Sequence, residues 1–182
     1  MRFVKQASVV VGLISAIVGL VFLFFPQIRP DSPGSKPQQS ARISGLQLVP
    51  HATKGQFLDY SDQDKTGLTK QQLDVVGASA AFKLTLGGYK DQELLLQRQL
   101  VNARTGDVIG KTQDITFTPR DDATNGRPWW DWVPLRPGRG SYVLVFKLFA
   151  EPNEPAIECK QTKAFDGLEG AVPAKIANLC PS

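Results

Sequence analysis

Residues 137–146 read PGRGSYVLVF, and this stretch decides the fold more strongly than any other part of the chain. Its proline and two glycines predict a turn, after which Tyr142 leads into a run that is apolar at every position. A strand that is apolar on both faces is expected in the middle of a sheet, covered on both sides. The sequence therefore predicts a central β-strand beginning near Ser141.

Short apolar runs alternate with clusters of turn residues on both sides of this strand. The run 79–86 alternates most clearly, so Ala80, Phe82, Leu84 and Leu86 are expected to face inward. Strands are predicted at residues 43–49, 79–86, 93–101, 108–111, 115–118, 130–135 and 157–165. The pattern predicts a mostly β fold, an antiparallel sandwich.

A Gly-rich turn, a tyrosine and an apolar strand in this order resemble the penultimate strand of immunoglobulin-like and fibronectin type III-like sandwiches. In those sandwiches the tyrosine closes a corner by bonding back to the backbone, which the resemblance implies for Tyr142. The resemblance is close over residues 137–146 and extends over residues 43–165 only as a strand pattern. The Cys-Trp-Cys spacing of antibody domains is absent. The resemblance implies an immunoglobulin-like fold and no function.

One segment departs from the β pattern. Thr69 and Gln72 have the spacing of a capping box, in which each side chain bonds the backbone of the other residue. We expect a short helix near residues 70–75, stopped by Gly77.

The N-terminal segment predicts membrane attachment. Residues 8–25, SVVVGLISAIVGLVFLFF, contain no charge, and as a helix they would span roughly 27 Å, close to the thickness of the hydrocarbon core. Arg2 and Lys5 precede the run, and positive flanks favour the cytoplasmic side. A cleaved signal peptide is the alternative, but no small-x-small site follows the run directly. We expect an uncleaved transmembrane signal-anchor.

This anchor divides the chain. Residues 1–7 are expected in the cytoplasm, residues 26–41 form a linker with four prolines, and residues 42–182 form an extracytoplasmic sandwich domain with a C-terminal tail. The absence of Asn-x-Ser/Thr sequences favours a bacterial cell membrane. Small residues recur every four positions in the anchor, so self-association into a homo-oligomer through this helix is a further hypothesis.

The charge distribution argues against nucleic acid as a partner. The chain has 21 basic and 17 acidic side chains, of which four and one lie in residues 1–41. The remaining domain has a net charge of only +1 and contains no basic run. Nucleic-acid binding requires a concentrated cationic surface.

Cys159 and Cys180 are the only cysteines. Outside the cytoplasm such a pair is usually oxidised, and it lacks the Cys-x-x-Cys spacing of redox motifs. We expect a structural disulfide that holds the tail against the last strand and covers the edge of the sheet.

No constellation of residues predicts catalysis, a metal or a cofactor. His51 is the only histidine and has no nucleophile-elbow sequence to accompany it, so it is interpreted as a surface residue. Asp62, Asp64 and Gly67 match the first half of a calcium loop, but Leu73 occupies the position that needs a bidentate carboxylate. The segment is interpreted as a polar loop leading into the capped helix. We expect that the chain is not an enzyme.

The loop 120–127 and the following Pro128-Trp129-Trp130-Asp131-Trp132 supply the candidate binding residues. Long loops on rigid sandwiches often bind ligands, and aromatic rings beside carboxylates suit sugars or protein interfaces. Alternation places Trp130 and Trp132 on one face, which we expect to be the core, and leaves the exposure of Trp129 open. The candidate binding residues are Asp121, Asp122, Asn125, Trp129 and Asp131.

Two functions follow from this layout. The leading hypothesis is a protein-interaction or structural module of the cell envelope, whose partner is an envelope protein. The alternative is a module that binds carbohydrate or cell-wall polymer through the segment 129–132. Glycoside hydrolysis by Asp121, Asp122 and Asp131 is disfavoured because nothing in the sequence indicates a cleft.

Overall fold

The computed structural model describes residues 38–172 and 178–180. The predicted anchor at residues 8–25, with its small-residue pattern, and most of the linker lie outside the described residues. Within the described ranges, no helix is both long enough and apolar enough to span a bilayer. The described residues belong to one compact unit that begins at Pro37.

Eight strands and two short helices make up the described part. The strands are β1 (Ser40–Thr53), β2 (Val76–Gly87), β3 (Leu94–Asn102), β4 (Gln113–Phe117), β5 (Arg127–Pro134), β6 (Ser141–Phe149), β7 (Glu158–Gln161) and β8 (Phe165–Asp166). The helices are α1 (Lys54–Tyr60) and α2 (Lys70–Leu73).

The strands form two antiparallel sheets. Sheet A has the order β1-β2-β5, and sheet B has the order β4-β3-β6-β7, with β8 also paired to β6. The mostly β, antiparallel prediction is confirmed, and β6 lies between β3 and β7 as expected for a central strand.

The main core fills the space between the two sheets. Sheet A contributes Ala80, Phe82, Leu84 and Leu86, each at most 3% exposed, which confirms the predicted inward face of β2. Sheet B contributes leucines and Phe146, whose ring lies 4.9 Å from that of Phe82.

A second apolar cluster lies on the opposite face of sheet B. It consists of Val101, Ala103, Val143 and Val145, covered by Ala164, Leu179 and the two cysteines. This explains why β6 is apolar on both faces. Cys159 and Cys180 form the predicted disulfide. Leu179 and Cys180 pack against the apolar face of β3 and β6, and the Leu179 N–H bonds the Gln161 side chain of the edge strand β7. That the tail covers the edge of the sheet stays a prediction, because residues 173–177 lie outside the described residues.

Both helices begin with a Thr/Gln capping box. Thr69 and Gln72 form the predicted capping box of α2, which ends at Leu73, whereas Gly77 lies inside β2. The helix α1 was not predicted, although Thr53 and Gln56 form an identical capping box.

The first strand is longer than predicted because two irregularities let it continue. Its register with β2 shifts between Ser44 and Gln47, and again between Val49 and Ala52. Each shift contains a residue with positive φ, Gly45 at 62° and His51 at 56°.

Two other predicted strands differ from the observed ones. The strand at 108–111 is wrong, since only a single bridge joins Val108 to Val101, and Gly110 has a positive φ of 77°. The strand at 157–165 is divided into β7 and β8. At the break, Thr162 accepts the Leu144 N–H through its hydroxyl, which replaces a backbone carbonyl in the ladder.

Tyr142 does not make the corner bond that the resemblance implies. Its ring packs against Phe165 at 6.1 Å and lies over Gly140, where a Cβ would overlap it. No hydrogen bond joins its hydroxyl to the backbone of any described residue.

Candidate functional site

The two lateral sides of the sandwich differ in how sheet A and sheet B meet. On one side Glu158 of β7 accepts the backbone N–H of Ile43 in β1, which ties the two sheets together. On the other side β5 faces β3 and β4, and two cavities open there. The candidate binding residues of the sequence all lie on this second side.

The first cavity, here called the loop groove, has a volume of about 620 Å³ and lies beneath the connection between β4 and β5. Its lining combines apolar side chains with a polar rim. The apolar part includes Leu84, Leu86 and Phe117, and the rim contains Arg120, Asp121, Asp122, Asn125 and Arg127. Three of the five predicted site residues, Asp121, Asp122 and Asn125, are therefore brought together.

Hydrogen bonds hold this loop against the turn between β2 and β3. The Asp122 carboxylate accepts the Gly88 N–H at 3.0 Å, and Asp91 donates its N–H to the Pro119 carbonyl at 2.8 Å. Asp122 therefore shapes the loop groove. Asp121 and Asn125 are exposed, and their side chains make no hydrogen bond to another described residue.

Trp129 lies at the edge of the core and contacts Phe117, which lines the loop groove. Its ring stacks on Phe82 with centroids 6.3 Å apart and planes at 15°, and it also contacts Phe117 at 5.5 Å. The residue is half-buried and faces inward. The alternation left the exposure of Trp129 open, and the structure places this residue at the edge of the core.

Asp131 is buried and forms an ion pair. Its Oδ2 lies 3.0 Å from Nε of Arg98 on β3, and its Oδ1 accepts the N–H of Trp132. Burial raises the pKa of the Asp131 carboxyl above its usual value, and the positive charge of Arg98 opposes that shift. Because Asp131 is only 8% exposed, it is not available as a surface ligand.

Arg98 was missed by sequence reasoning, although a signal was present. It occupies an inward position of β3, in phase with Leu94, Leu96 and Leu100. A charged residue in an otherwise apolar alternation indicates a buried partner of opposite charge.

The interpretation of Trp130 and Trp132 as core residues is wrong. Both lie on the outer face of sheet A, because Trp129 and Asp131 take the inward positions of the alternation. Trp132 lies over Gly77, donates its indole N–H to the Ala52 carbonyl, and has the Lys54 ammonium 5.8 Å from its ring.

Trp130 and Tyr60 of α1 form an exposed aromatic pair, here called the outer aromatic pair. Their centroids are 5.8 Å apart, and the two residues are 39% and 37% exposed. Since α1 was not predicted, sequence reasoning missed Tyr60 as a neighbour of the tryptophans.

The remaining candidates have local structural contacts. His51 is exposed, and its Nε2 lies 2.8 Å from the Asp166 carbonyl. Asp64 accepts two hydrogen bonds from Thr66, which lower the pKa of its carboxyl. No group of three or more histidine, cysteine or acidic side chains within the described ranges is arranged to hold a metal ion.

Comparison with known proteins gives no relative: no protein-family model, curated protein or solved structure matches the chain. The function is therefore argued from the geometry of these sites.

Proposed function

We propose that the chain is a membrane-anchored, extracytoplasmic immunoglobulin-like sandwich that acts as a protein-interaction or structural module of the cell envelope. The division into strands β1-β2-β5 and β4-β3-β6-β7 supports this kind of sandwich. The apolar run 8–25 with its basic flank supports the anchor, and the disulfide supports an oxidising compartment.

The loop groove carries the proposal of protein binding. It presents two arginines, two aspartates and an amide around an apolar base, and its loop is fixed to the β2–β3 turn by Asp122. Interfaces combine a buried apolar centre with a polar rim, and a preordered loop reduces the entropy lost on binding. The partner proposed is an envelope protein that places an apolar side chain in the groove and polar groups along the rim.

Charge reversal at the rim tests this proposal. Arg120 and Arg127 are exposed and make no described ion pair, so Arg120→Glu with Arg127→Glu should leave folding intact. Full-length chain recovered from detergent-solubilised membranes is expected to lose its co-purifying envelope partner in this variant. Arg104→Glu with Lys163→Glu, two exposed cations away from the groove, is the matched control, and equal recovery of the partner by both variants would contradict the proposal.

Protease protection tests the topology. Protease added outside intact cells whose outer layers have been made permeable should digest residues 42–182 and leave the anchor with residues 1–7. Protection of the domain until the cell membrane is broken would contradict an extracytoplasmic location.

The outer aromatic pair favours carbohydrate binding as a second candidate function. Exposed rings of Trp and Tyr stack on sugar faces, and Trp130 is the tryptophan of segment 129–132 that is available for this contact. Trp130→Ala should abolish binding to a cell-wall glycan array, whereas Trp130→Phe should retain part of it. Equal binding by both variants and the unmodified chain would exclude this function for the pair.

A further inference from the structure

A second cavity opens beside Arg98, the partner of Asp131, and shares no lining residue with the loop groove. It has a volume of about 240 Å³ and is here called the arginine pocket. Apolar side chains from both sheets and from the β3–β4 connection form its walls, among them Leu100, Ile109, Val133 and Leu135.

The charged residues of the arginine pocket all carry the same sign. Arg98, Lys111 and Arg136 line it, and no aspartate or glutamate does. Asp131 compensates Arg98 from behind, while Lys111 and Arg136 are exposed and form no described ion pair. Two positive charges are therefore left over at the mouth of a largely apolar cavity.

Arg98 has more donors than its described partners use. A guanidinium carries five N–H groups. Its Nη2 donates to the Gln113 side chain and its Nε lies 3.0 Å from Asp131 Oδ2, whereas Nη1 makes no hydrogen bond to another described residue. The residue is only 7% exposed, and buried polar groups without a partner are rare in folded proteins.

We propose that the arginine pocket binds a carboxylate that bears a short apolar group. The planar guanidinium of Arg98 matches the geometry of a carboxylate, and the remaining charges of Lys111 and Arg136 favour an anion. The apolar walls accept the attached alkyl group. The volume is below the roughly 300–1,000 Å³ of pockets for drug-sized ligands, which favours a small acid.

Two sources supply this chemistry: a free short-chain organic acid, and the C-terminal carboxylate of a peptide. Both present one carboxylate beside an aliphatic group. The proposal concerns a cavity other than the loop groove and does not depend on the proposed function.

Calorimetric titration of the full-length chain with hexanoate tests the proposal, with hexanamide as the uncharged control. Hexanoate should bind saturably, and hexanamide should not. Lys111→Gln with Arg136→Gln should weaken hexanoate binding at least about tenfold, because both changes remove charge from exposed positions without disturbing the core. Lys90→Gln with Arg104→Gln, two exposed cations elsewhere, should bind hexanoate like the unmodified chain.

Competition separates the two sources. Displacement of hexanoate by a short aliphatic peptide with a free C-terminus, and not by its amide, would assign the pocket to peptide ends. Failure of the peptide to compete, with hexanoate still bound, would assign it to free acids. The proposal is overturned if hexanoate does not bind, if hexanamide binds equally well, or if the Lys111/Arg136 variant retains full affinity.

Discussion

Arg98 of β3 and Asp131 of β5 place their charged groups 3.0 Å apart, so a buried ion pair joins sheet B to sheet A. The side chains are 8% and 10% exposed. The pair lies on the side of the sandwich that opens into the loop groove and the arginine pocket, with Trp129 two positions away along β5. The pair therefore joins the two sheets on the side where the two cavities lie between them.

Removing the cation of this pair should be costly. Arg98→Met leaves the Asp131 carboxylate buried without a counter-charge, and we expect a loss of about 3–5 kcal/mol in the free energy of unfolding near neutral pH. Urea unfolding measures this loss. A double variant, Arg98→Met with Asp131→Leu, should recover much of it, because a hydrophobic pair replaces two buried charges. A loss below about 1 kcal/mol for the single variant would show that the pair is not desolvated.

The pH dependence of stability follows from the raised pKa of Asp131. Since its native pKa lies above its unfolded value of about 3.9, the native state binds more protons in the window between the two. The stabilising contribution of Asp131 is thus fully present below pH 3.9 or so and is lost as the pH rises through the native pKa. Asp131→Asn should therefore gain stability relative to the unmodified chain as the pH rises through this window. Urea unfolding at a series of pH values measures the difference, and the opposite slope would contradict the assignment.

Gly77 should not tolerate a side chain. A Cβ at this position would overlap the Val133 carbonyl oxygen and the ring of Trp132, so Gly77→Ala must displace β5 or the indole. We expect a loss of about 1–3 kcal/mol in thermal or urea unfolding. Gly55→Ala in α1 is the matched control, because its Cβ would only come within 3.4 Å of Leu73 and alanine favours a helix. Equal effects of the two changes would contradict this packing.

The disulfide should stabilise the fold by closing the segment between Cys159 and Cys180, which are 21 residues apart. Cys159→Ser with Cys180→Ser should lower the free energy of unfolding by about 3 kcal/mol. Release of the tail should also uncover the valines of the second apolar cluster and increase the binding of a hydrophobic dye. Reductant should reproduce both effects in the unmodified chain and none in the variant; insensitivity of the unmodified chain would contradict the role of the bridge.

Much of the fold could be predicted from local patterns. Strict alternation at Phe82 and Leu84 identified the inward face of β2, and the doubly apolar run from Val143 to Phe146 identified the central strand. These predictions succeeded because side chains alternate between the faces of a strand, whatever surrounds them. Thr53 and Gln56 carry an equally clear signal for α1, which was hidden by its position at the end of a long strand.

The candidate site was less predictable because its geometry depends on contacts between distant segments. Alternation correctly separated Trp129 and Asp131 from Trp130 and Trp132, yet it could not tell which face of β5 meets the core. Arg98, which is 33 positions from Asp131, decides this by pairing with its carboxylate. Likewise, only the fold brings Tyr60 beside Trp130 and the β4–β5 loop beside Gly88.

The central claim is that the loop groove is the surface on which an envelope protein binds. Site-specific photo-crosslinking in intact cells tests it most directly, with the photoreactive residue placed at Asn125 on the rim and, as a control, at Lys163 between β7 and β8. Both positions are exposed, and they lie on opposite sides of the sandwich. We predict one discrete crosslinked species at Asn125 that Arg120→Glu with Arg127→Glu removes, and none at Lys163. No adduct at Asn125, or identical adducts at both positions, would contradict the account.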